Sequence, residues 1–197
     1  QCAGGTINLN GNPSGGTGAY THAWTGTGNG NLSSTSIVNP VYTAPAIAGQ
    51  TIYGLTYTVT DSKSCTATSS ISVTVNPNIT SGITPAAATE LCPAATVNLS
   101  GNRSGGTPTY THLWTGSGAA YLSSTSTETP TFTAPTVASQ TTYTLDYKVT
   151  DSKGCVSTST KNIIVNPKPS ASITPASPAE QCAGGTINLN GNPSGGT

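Results

Sequence analysis

Short runs in which apolar and polar residues alternate follow one another along the chain and predict β-strands. The run 53–59 has Tyr, Leu, Tyr and Val at every second position, and the run 71–75 has Ile, Val and Val in the same spacing. Successive side chains of a strand point to opposite faces, so each run presents one apolar face and one polar face. The positions between hold mostly Thr and Ser, as is typical of a sheet with one solvated face. The pattern predicts an all-β fold of half-buried strands.

A segment of the sequence returns at a fixed offset. Residues 1–17 recur letter for letter at 181–197, and residues 91–107 are a diverged copy. Each step is ninety residues, and Trp24 and Trp114 obey the same offset. Self-similarity of this kind is the signature of a repeat array, and about 100 residues suffice for one small β-sandwich domain. The sequence therefore predicts tandem immunoglobulin-like β-sandwich domains arranged end to end.

The predicted domain boundaries follow the motif Val-Asn-Pro, which occurs at 75–77 and again at 165–167. We expect residues 1–76 to form a repeat that lacks its first strand, A, and residues 77–166 to form a complete repeat. Residues 167–197 would then hold only strands A and B of a third repeat. That piece cannot bury its apolar face by itself and needs further chain or a partner that supplies the missing strands.

Each repeat is predicted to contain the same succession of strands. Strand A lies near 79–84 and 170–175, B near 6–10, 96–100 and 186–190, C at 19–25 and 109–115, an E-like strand at 41–43 and 131–133, F at 51–60 and 141–150, and G at 65–75 and 155–165. The apolar positions of these strands define a predicted core that includes Trp24, Trp114, Tyr57, Tyr147, Leu55 and Leu145.

Composition narrows the function classes. Charged residues make up only 6% of the chain and the formal net charge is zero, so the sequence offers no basic patch for nucleic acid. No apolar stretch approaches the roughly 18 residues of a membrane span. No clustered His, Cys, Asp or Glu residues predict a metal or cofactor site. No arrangement of residues predicts an enzyme, because serine is too frequent for a catalytic triad to be inferred from it.

Several motifs resemble a known family. The run Tyr-x-His-x-Trp is followed by Thr-Ala-Pro and then by Val-Thr-Asp-Ser-Lys, with a cysteine two residues later, in both 20–65 and 110–155. These motifs resemble the PKD-like and related immunoglobulin-like repeats of giant surface adhesins and filament proteins of Bacteroidetes-type bacteria. The resemblance implies an extracellular, cell-surface protein whose modules act as spacers, stalks or fibre subunits. The chain departs from PKD domains in lacking their Trp-Asp-Phe-Gly-Asp-Gly run, and with it the acidic residues that could hold a cation there.

Five cysteines provide candidate disulfides, as expected for an exported protein. Cys2, Cys92 and Cys182 lie in predicted A–B connections, whereas Cys65 and Cys155 begin predicted G strands. These connections lie at opposite ends of a sandwich, roughly 30 Å apart for a ten-residue strand, whereas a disulfide needs Cα atoms within about 7 Å. Geometry therefore favours the interdomain pair Cys2–Cys155.

Two other pairing schemes stay open at this stage. The first is intradomain and joins Cys2 to Cys65 and Cys92 to Cys155. The second joins Cys65 to Cys92 and Cys155 to Cys182. In the favoured scheme Cys92 and Cys182 bond to domains that follow this stretch of sequence, and Cys65 bonds to one that precedes it.

The remaining polar and aromatic candidates each have a structural interpretation. His22 and His112 are expected to pack beside the tryptophans, and Asp61 is expected to hydrogen-bond the backbone of the F–G turn. Trp24 and Trp114, with nearby tyrosines, could stack on a sugar, but core packing is favoured. Asn-x-Ser/Thr motifs at 31–33, 78–80, 98–100 and 102–104 and the many Ser and Thr residues are candidate sites for glycans.

The sequence thus favours a structural repeat of a bacterial surface filament, stalk or adhesin, forming a stiff, disulfide-reinforced rod. Its expected partners are neighbouring repeats of the same chain and identical chains in a fibre. The alternative is a carbohydrate- or surface-binding β-sandwich module. Glycan binding would favour that alternative, whereas thin threads seen by electron microscopy would favour the first.

Overall fold

The computed structural model describes residues 1–175 and 180–196, and their regular structure consists of β-strands and two short 3-10 turns at Asn29–Asn31 and Ala119–Tyr121. The strand-rich prediction is confirmed, and the strands assemble into several small sheets.

The first five strands form two facing sheets. They are β1 (Thr6–Asn8), β2 (Thr21–Thr25), β3 (Val41–Thr43), β4 (Thr51–Thr60) and β5 (Thr66–Val75). Strands β2, β4 and β5 form one antiparallel sheet in the order β2-β4-β5, and β1 pairs antiparallel with β3. Side chains of both sheets meet in one core, which includes Leu9 and Tyr42 from one side and Leu55, Tyr57 and Val73 from the other. This arrangement is a two-layer β-sandwich.

The following strands repeat this plan with additions. They are β6 (Ile79–Thr84), β7 (Thr89–Leu91), β8 (Thr96–Asn98), β9 (Ser100–Gly105), β10 (Tyr110–Thr115), β11 (Thr131–Thr133), β12 (Thr141–Asp151), β13 (Val156–Val165), β14 (Ser170–Thr174) and β15 (Asn190–Ser194). One sheet has the order β10-β12-β13-β7, and three two-stranded sheets pair β8 with β11, β6 with β9 and β14 with β15. Strand β7 runs parallel to β13, with Leu91 opposite Val165.

The chain forms two compact units, and residues of both predicted repeats contribute to the first. That unit comprises Gln1–Thr80, Arg103–Thr111 and Val149–Ser157, and the second comprises Ser81–Asn102, His112–Lys148 and Thr158–Thr197. The predicted domain boundaries after residues 76 and 166 stay predictions.

The six predicted core residues are buried. Each has between 0 and 5% of its surface exposed; they are Trp24, Trp114, Tyr57, Tyr147, Leu55 and Leu145. The alternation that predicted the strands is visible in β4, where buried Leu55 and Tyr57 alternate with partly exposed threonines. Burying aromatic and aliphatic side chains is the main stabilising contribution of such small sheets.

Positions 71 and 161 are equivalent in the two repeats but differ in residue type and in burial. Ile71, which shares the apolar face of its strand with Val73 and Val75, is 50% exposed. Lys161, ninety residues later, is only 6% exposed, and its ammonium donates a hydrogen bond to the carbonyl oxygen of Ala87 at 2.6 Å. The difference arises because the segment that follows β6 covers Lys161. Burial also lowers the pKa of Lys161.

The predicted strand B near 186–190 is wrong in position. Residues 186–189 are irregular, and the observed strand, β15, begins at Asn190. In the earlier copy the equivalent strand β8 pairs with β11.

Two glycines allow the backbone to turn sharply close to a neighbouring strand. Gly26 and Gly116 have φ of +109° and +98°, values that favour glycine. A Cβ atom on Gly116 would lie 2.4 Å from the carbonyl oxygen of Thr144, and one on Gly26 would lie 2.4 Å from that of Gly54. Each glycine therefore lets the turn after a Trp-bearing strand fold back onto the adjacent long strand.

Candidate functional site

A disulfide joins Cys2 to Cys155 within the first compact unit. Their Cα atoms are 5.7 Å apart, although 153 positions separate them in the sequence. This is the pair that the geometry of a sandwich favoured. The alternatives Cys2–Cys65, Cys92–Cys155 and Cys155–Cys182 are wrong, because each needs a sulfur atom that this bond already uses.

The other three cysteines carry free thiols. Cys65, Cys92 and Cys182 are all exposed, so the pairing of Cys65 with Cys92 is also wrong for this structure. Exposed thiols in a protein that also contains a disulfide are available for bonds to other chains. The expectation that these three pair with cysteines of further repeats stays a prediction.

The turn that presents Cys155 is held by the carboxylate of Asp151. Oδ1 accepts hydrogen bonds from the backbone N–H groups of Lys153 and Cys155, both at 2.9 Å, and Oδ2 accepts one from Thr107 at 2.7 Å. The backbone N–H of Asp151 in turn donates to the carbonyl oxygen of Cys155 at 3.0 Å. Because these bonds fix the turn from 151 to 155, the position of the cysteine is set by local structure as well as by the disulfide.

Asp61 organises the earlier turn in the same way. Its carboxylate accepts hydrogen bonds from the backbone N–H groups of Thr17, Lys63 and Cys65, each at 2.9 Å. The hydrogen bond from Thr17, followed by the one from Cys65, lowers the pKa of Asp61 below its ordinary value. A carboxylate that accepts several backbone hydrogen bonds is stabilised in its charged form. The prediction that Asp61 binds turn backbone is therefore borne out by these distances.

Cys2 is positioned by the end of strand β5. The carbonyl oxygen of Asn76 accepts a hydrogen bond from Ala3 N–H at 3.0 Å, and Asn76 N–H donates to the carbonyl oxygen of Gln1 at 2.8 Å. The side-chain oxygen of Asn76 accepts a third bond from Gln50 Nε2 at 2.7 Å. Asn76 is 7% exposed. The Asn of the Val-Asn-Pro motif thus holds the chain that leads into the disulfide.

A buried aromatic cluster occupies the centre of the first sandwich. The rings of Trp24 and Tyr57 have centroids 4.8 Å apart, and Tyr57 stacks on His22 at 5.9 Å. The Tyr57 hydroxyl lies 2.7 Å from His22 Nδ1, and Trp24 Nε1 donates to the carbonyl oxygen of Ile37 at 2.9 Å. The histidine is therefore a hydrogen-bond partner of a core tyrosine, as expected for a packing role.

The later sandwich contains the same cluster. Nδ1 of His112 lies 2.7 Å from the Tyr147 hydroxyl, and Trp114 Nε1 donates a hydrogen bond to the carbonyl oxygen of Thr127 at 2.8 Å. Trp24 and Trp114 are 5% and 1% exposed, so neither ring face can stack on a sugar. These tryptophans are core residues in both copies.

An open groove runs along the first sandwich. One wall is formed by Ile7–Asn12 and the other by Ser69–Ile71, with Trp24 and Tyr57 at its floor, and its volume is about 580 Å³. Half of Ile71 is exposed to this groove. We call this feature the open groove. Polar side chains such as Asn8, Asn10 and Ser69 line it together with the apolar Ile7 and Leu9.

Neither a cluster of metal ligands nor a membrane-spanning helix is found in the part of the chain that is described. No three residues among His, Cys, Asp and Glu come together there in a way that could hold a metal ion. Within 1–175 and 180–196, no helix has the length and apolar character that crossing a bilayer requires.

Comparisons with known proteins give fold-level likenesses only. No protein-family model and no curated protein matches the chain. The fibronectin(III)-like modules of Clostridium thermocellum CbhA are 14% identical with a TM-score of 0.37, over 85% of this chain and 87% of that one. Extracellular domains 3–5 of Drosophila OTK are 15% identical with a TM-score of 0.33, over 98% and 71%.

A third solved structure is that of Bacteroides ovatus SGBP-B in complex with a mixed-linkage heptasaccharide. It is 16% identical with a TM-score of 0.24, over 86% of this chain and 43% of that one. At these identities none of the likenesses bears on function.

Sequence reasoning missed the buried Lys161. The open groove agrees with the expectation that residues 1–76 form a repeat without strand A. No signal could have revealed Lys161, since a lysine within an otherwise polar stretch of strand reads as solvent-facing.

Proposed function

We propose that this chain is a structural repeat module of an extracellular filament, stalk or adhesin on a bacterial surface, in which disulfides reinforce a stiff rod. The observation that supports this most directly is the Cys2–Cys155 bond, which joins cysteines that belong to successive sequence repeats. Disulfides persist in oxidising surroundings, which supports a site of action outside the cell. The proposal assigns no reaction to the chain.

In the proposed mechanism, a long β-ladder and a disulfide together resist a pulling force on the module. The β4–β5 ladder is antiparallel and ten residues long, from Thr51 opposite Val75 to Thr60 opposite Thr66. Asp151 and Asn76 fix the two backbone segments that the disulfide joins. Load applied to this part of the molecule would then be shared by many parallel hydrogen bonds and one covalent bond.

The spacing of the cysteines supports a role in an array. The bonded pair is 153 residues apart, and the cysteines recur with a ninety-residue offset at 2, 92 and 182 and at 65 and 155. In a longer array each A–B cysteine would find its partner 153 positions further along. Cys65, Cys92 and Cys182, whose thiols are free, would form such bonds with cysteines of further repeats.

The test is immunogold electron microscopy on the cells that produce the chain, with antibodies raised against residues 1–197. Gold along thin threads outside the cell, lost when the gene is deleted, is the expected result. Label confined to the cell interior would overturn the proposal. Non-reducing peptide mapping of the isolated threads should also recover cross-links between further cysteine pairs of this spacing.

The alternative role, a carbohydrate-binding module, is tested separately on a glycan array. Since Trp24 and Trp114 are buried, binding would have to use partly exposed rings such as Tyr20 and Tyr110. Tight binding that Tyr20→Ala abolishes, with the circular dichroism spectrum unchanged, would favour the alternative. Absence of binding across the array would favour the structural role.

A further inference from the structure

A cavity of about 380 Å³ lies in the later sandwich, between the segment 86–88 and strand β13. All the residues that line it fall between 82 and 162 and belong to the second compact unit. The strands before and after them are present in the structure. Alanine and glycine form much of one wall, and the segment 159–162 forms the other. We call this cavity the lysine pocket, because Lys161 is the ionisable residue in its lining.

Lys161 carries a positive charge into this pocket. The residue is 6% exposed, and its ammonium donates a hydrogen bond to the carbonyl oxygen of Ala87 at 2.6 Å. A lysine ammonium has three N–H groups. Within residues 1–175 and 180–196, that single neutral acceptor is the partner of the ammonium. Two of its N–H groups are therefore available to a bound molecule.

The charge of Lys161 has no counter-ion in the described part of the chain. No carboxylate lines the pocket, and burial lowers the pKa of Lys161 with no acidic neighbour to raise it. Asp146, on the adjacent strand β12, accepts a hydrogen bond from Thr160 at 2.6 Å. Thr160 and Lys161 are successive residues of a strand, so their side chains point to opposite faces of the sheet. A buried charge is normally paired, and an anion would supply the missing partner.

The fold does not require a lysine at this position. The equivalent residue ninety positions earlier is Ile71, and strand β5 forms there with Ile71 opposite Leu55. Lysine in place of an aliphatic residue adds the cost of removing a charge from water. A ligand that offsets this cost gives the substitution a purpose that strand formation does not.

The lining indicates which anion fits. The pocket contains one cation and no arginine, which suits a singly charged carboxylate better than a phosphate, for which arginine forks are typical. Its volume is at the lower end of the roughly 300–1,000 Å³ of small-molecule sites, so a ligand of about one ring fits. Ser159 lies two residues before Lys161 and therefore on the same face. Its hydroxyl, 2.8 Å from that of Ser81, gives the ligand a neutral polar neighbour.

We propose that the lysine pocket binds a small monocarboxylate of about one ring, such as a uronic acid unit, with the Lys161 ammonium as its counter-ion. The ligand's carboxylate accepts the N–H groups that Ala87 leaves unused, and its ring lies against the alanine wall. This site goes beyond the proposed structural role and does not depend on it.

The test is a nuclear magnetic resonance titration of the full-length chain labelled with ¹³C-lysine. The ε-CH₂ signal of Lys161 is identified by its loss in Lys161→Met. The probes are methyl glucuronide and cyclohexanecarboxylate, each compared with its neutral counterpart, methyl glucoside and cyclohexanecarboxamide. Lys148→Met is the matched control, because Lys148 is an exposed lysine of β12 outside the pocket.

We expect both acids to shift the Lys161 signal saturably in the millimolar range, and the neutral counterparts to bind at least tenfold more weakly. Lys148→Met should bind like the wild type. Tighter binding of methyl glucuronide than of cyclohexanecarboxylate would identify the hydroxyl groups as part of what is recognised, whereas equal binding would identify the carboxylate alone. The absence of a saturable shift for both acids would overturn the proposal, as would equal binding of acids and neutral counterparts.

The location of the site is tested with two substitutions at one position. Lys161→Met and Lys161→Ile, the second of which introduces the residue found at position 71, should each weaken binding of the acids at least tenfold, measured by ligand-detected resonance and with circular dichroism as the check on folding. Unchanged binding in a folded variant would overturn the assignment.

The wild-type chain tests the location even if neither variant folds, with its lysine signals assigned through the backbone. The signal of Lys161 should then move more than those of the other lysines, which are Lys63, Lys148, Lys153 and Lys168. Equal movement of all of them would mean non-specific association and would overturn the assignment. Because purified chain is used, these results are independent of whether labelled threads are found on cells.

Discussion

The carboxylate of Asp61 accepts a hydrogen bond from the backbone N–H of Cys65 at 2.9 Å, and so closes the turn between the two longest strands of the first sandwich. With Thr17 and Lys63 it accepts three such bonds. The pKa of Asp61 lies below its ordinary value chiefly because of the bond from Thr17. The folded state therefore holds this carboxylate in its charged form more strongly than the unfolded state does.

The first prediction concerns acid stability. A carboxyl group with a lowered folded-state pKa stabilises the fold fully above its unfolded-state pKa of about 4. This contribution is lost as pH falls through that value towards the folded-state pKa. We expect Asp61→Asn to be less stable than wild type near pH 6 and to lose less stability on acidification, as measured by melting temperature between pH 6 and 2.5.

The control for acid stability is Glu180→Gln, which removes an exposed carboxylate. It should leave the pH profile close to that of the wild type. A profile for Asp61→Asn that runs parallel to the wild-type profile at all pH values would contradict the assignment.

The second prediction concerns the disulfide. A bond that closes 153 residues restricts the unfolded chain, and removing a native disulfide typically costs about 2–5 kcal/mol. We expect the double variant Cys2→Ser, Cys155→Ser to lose stability in this range by urea denaturation. Adding a reductant should destabilise the wild type to the same level.

Two controls accompany the disulfide prediction. Cys92→Ser removes an exposed free thiol and should retain wild-type stability under oxidising conditions. The double variant should not respond to reductant. If reductant lowers the stability of the double variant as much as that of the wild type, another bond is responsible.

The third prediction concerns Gly116. Alanine at φ of +98° is strained, and its Cβ would lie 2.4 Å from the Thr144 carbonyl oxygen. We expect Gly116→Ala to lower the free energy of unfolding by about 1–3 kcal/mol. Gly30→Ala is the control, since nothing lies within 4 Å of its Cβ position. Equal, small effects in both variants would show that the turn after β10 relaxes freely.

The fourth prediction compares two buried tyrosines. The Tyr147 hydroxyl lies 2.7 Å from His112 Nδ1, so Tyr147→Phe should cost about 1 kcal/mol. The Tyr42 hydroxyl is buried without a hydrogen bond of normal geometry to any described residue. Burial raises its pKa more than the nearby Asn31 side chain lowers it, and Phe132 occupies the equivalent position of the later sandwich.

We therefore expect Tyr42→Phe to retain or gain stability, by up to about 1 kcal/mol. Thermal denaturation of both variants under the same conditions is the measurement. A larger loss for Tyr42→Phe than for Tyr147→Phe would show that Asn31 is a genuine partner of the Tyr42 hydroxyl.

Much of the fold was readable from alternation of apolar and polar residues. The predicted strands at 51–60 and 141–150 coincide with β4 and β12 to within a residue. The orientation of β4 follows from this alternation, because the opposite orientation would expose Leu55 and Tyr57 to solvent. Short strands such as β7 carry too few residues for a two-residue period to be recognised, and the parallel pairing of β7 with β13 was not predicted.

The candidate site was predictable only in part. The A–B and F–G connections of one sandwich lie at its opposite ends, and this geometry favoured the pair Cys2–Cys155. The structure contains that bond. The exposure of Ile71 was not predictable, because it depends on whether a strand lies beside β5 and not on the alternation of β5 itself. Lys161, at the equivalent position, shows the opposite outcome when covering chain is present.

The bond between Cys2 and Cys155 also changes what a protease can do to this molecule. A single cut anywhere between these cysteines, for example in the irregular stretch from residue 85 to 88, leaves two fragments that remain covalently attached. Such a nicked molecule keeps its full mass on a non-reducing gel and separates only after reduction. Damage of this kind would therefore not shed fragments into the surroundings.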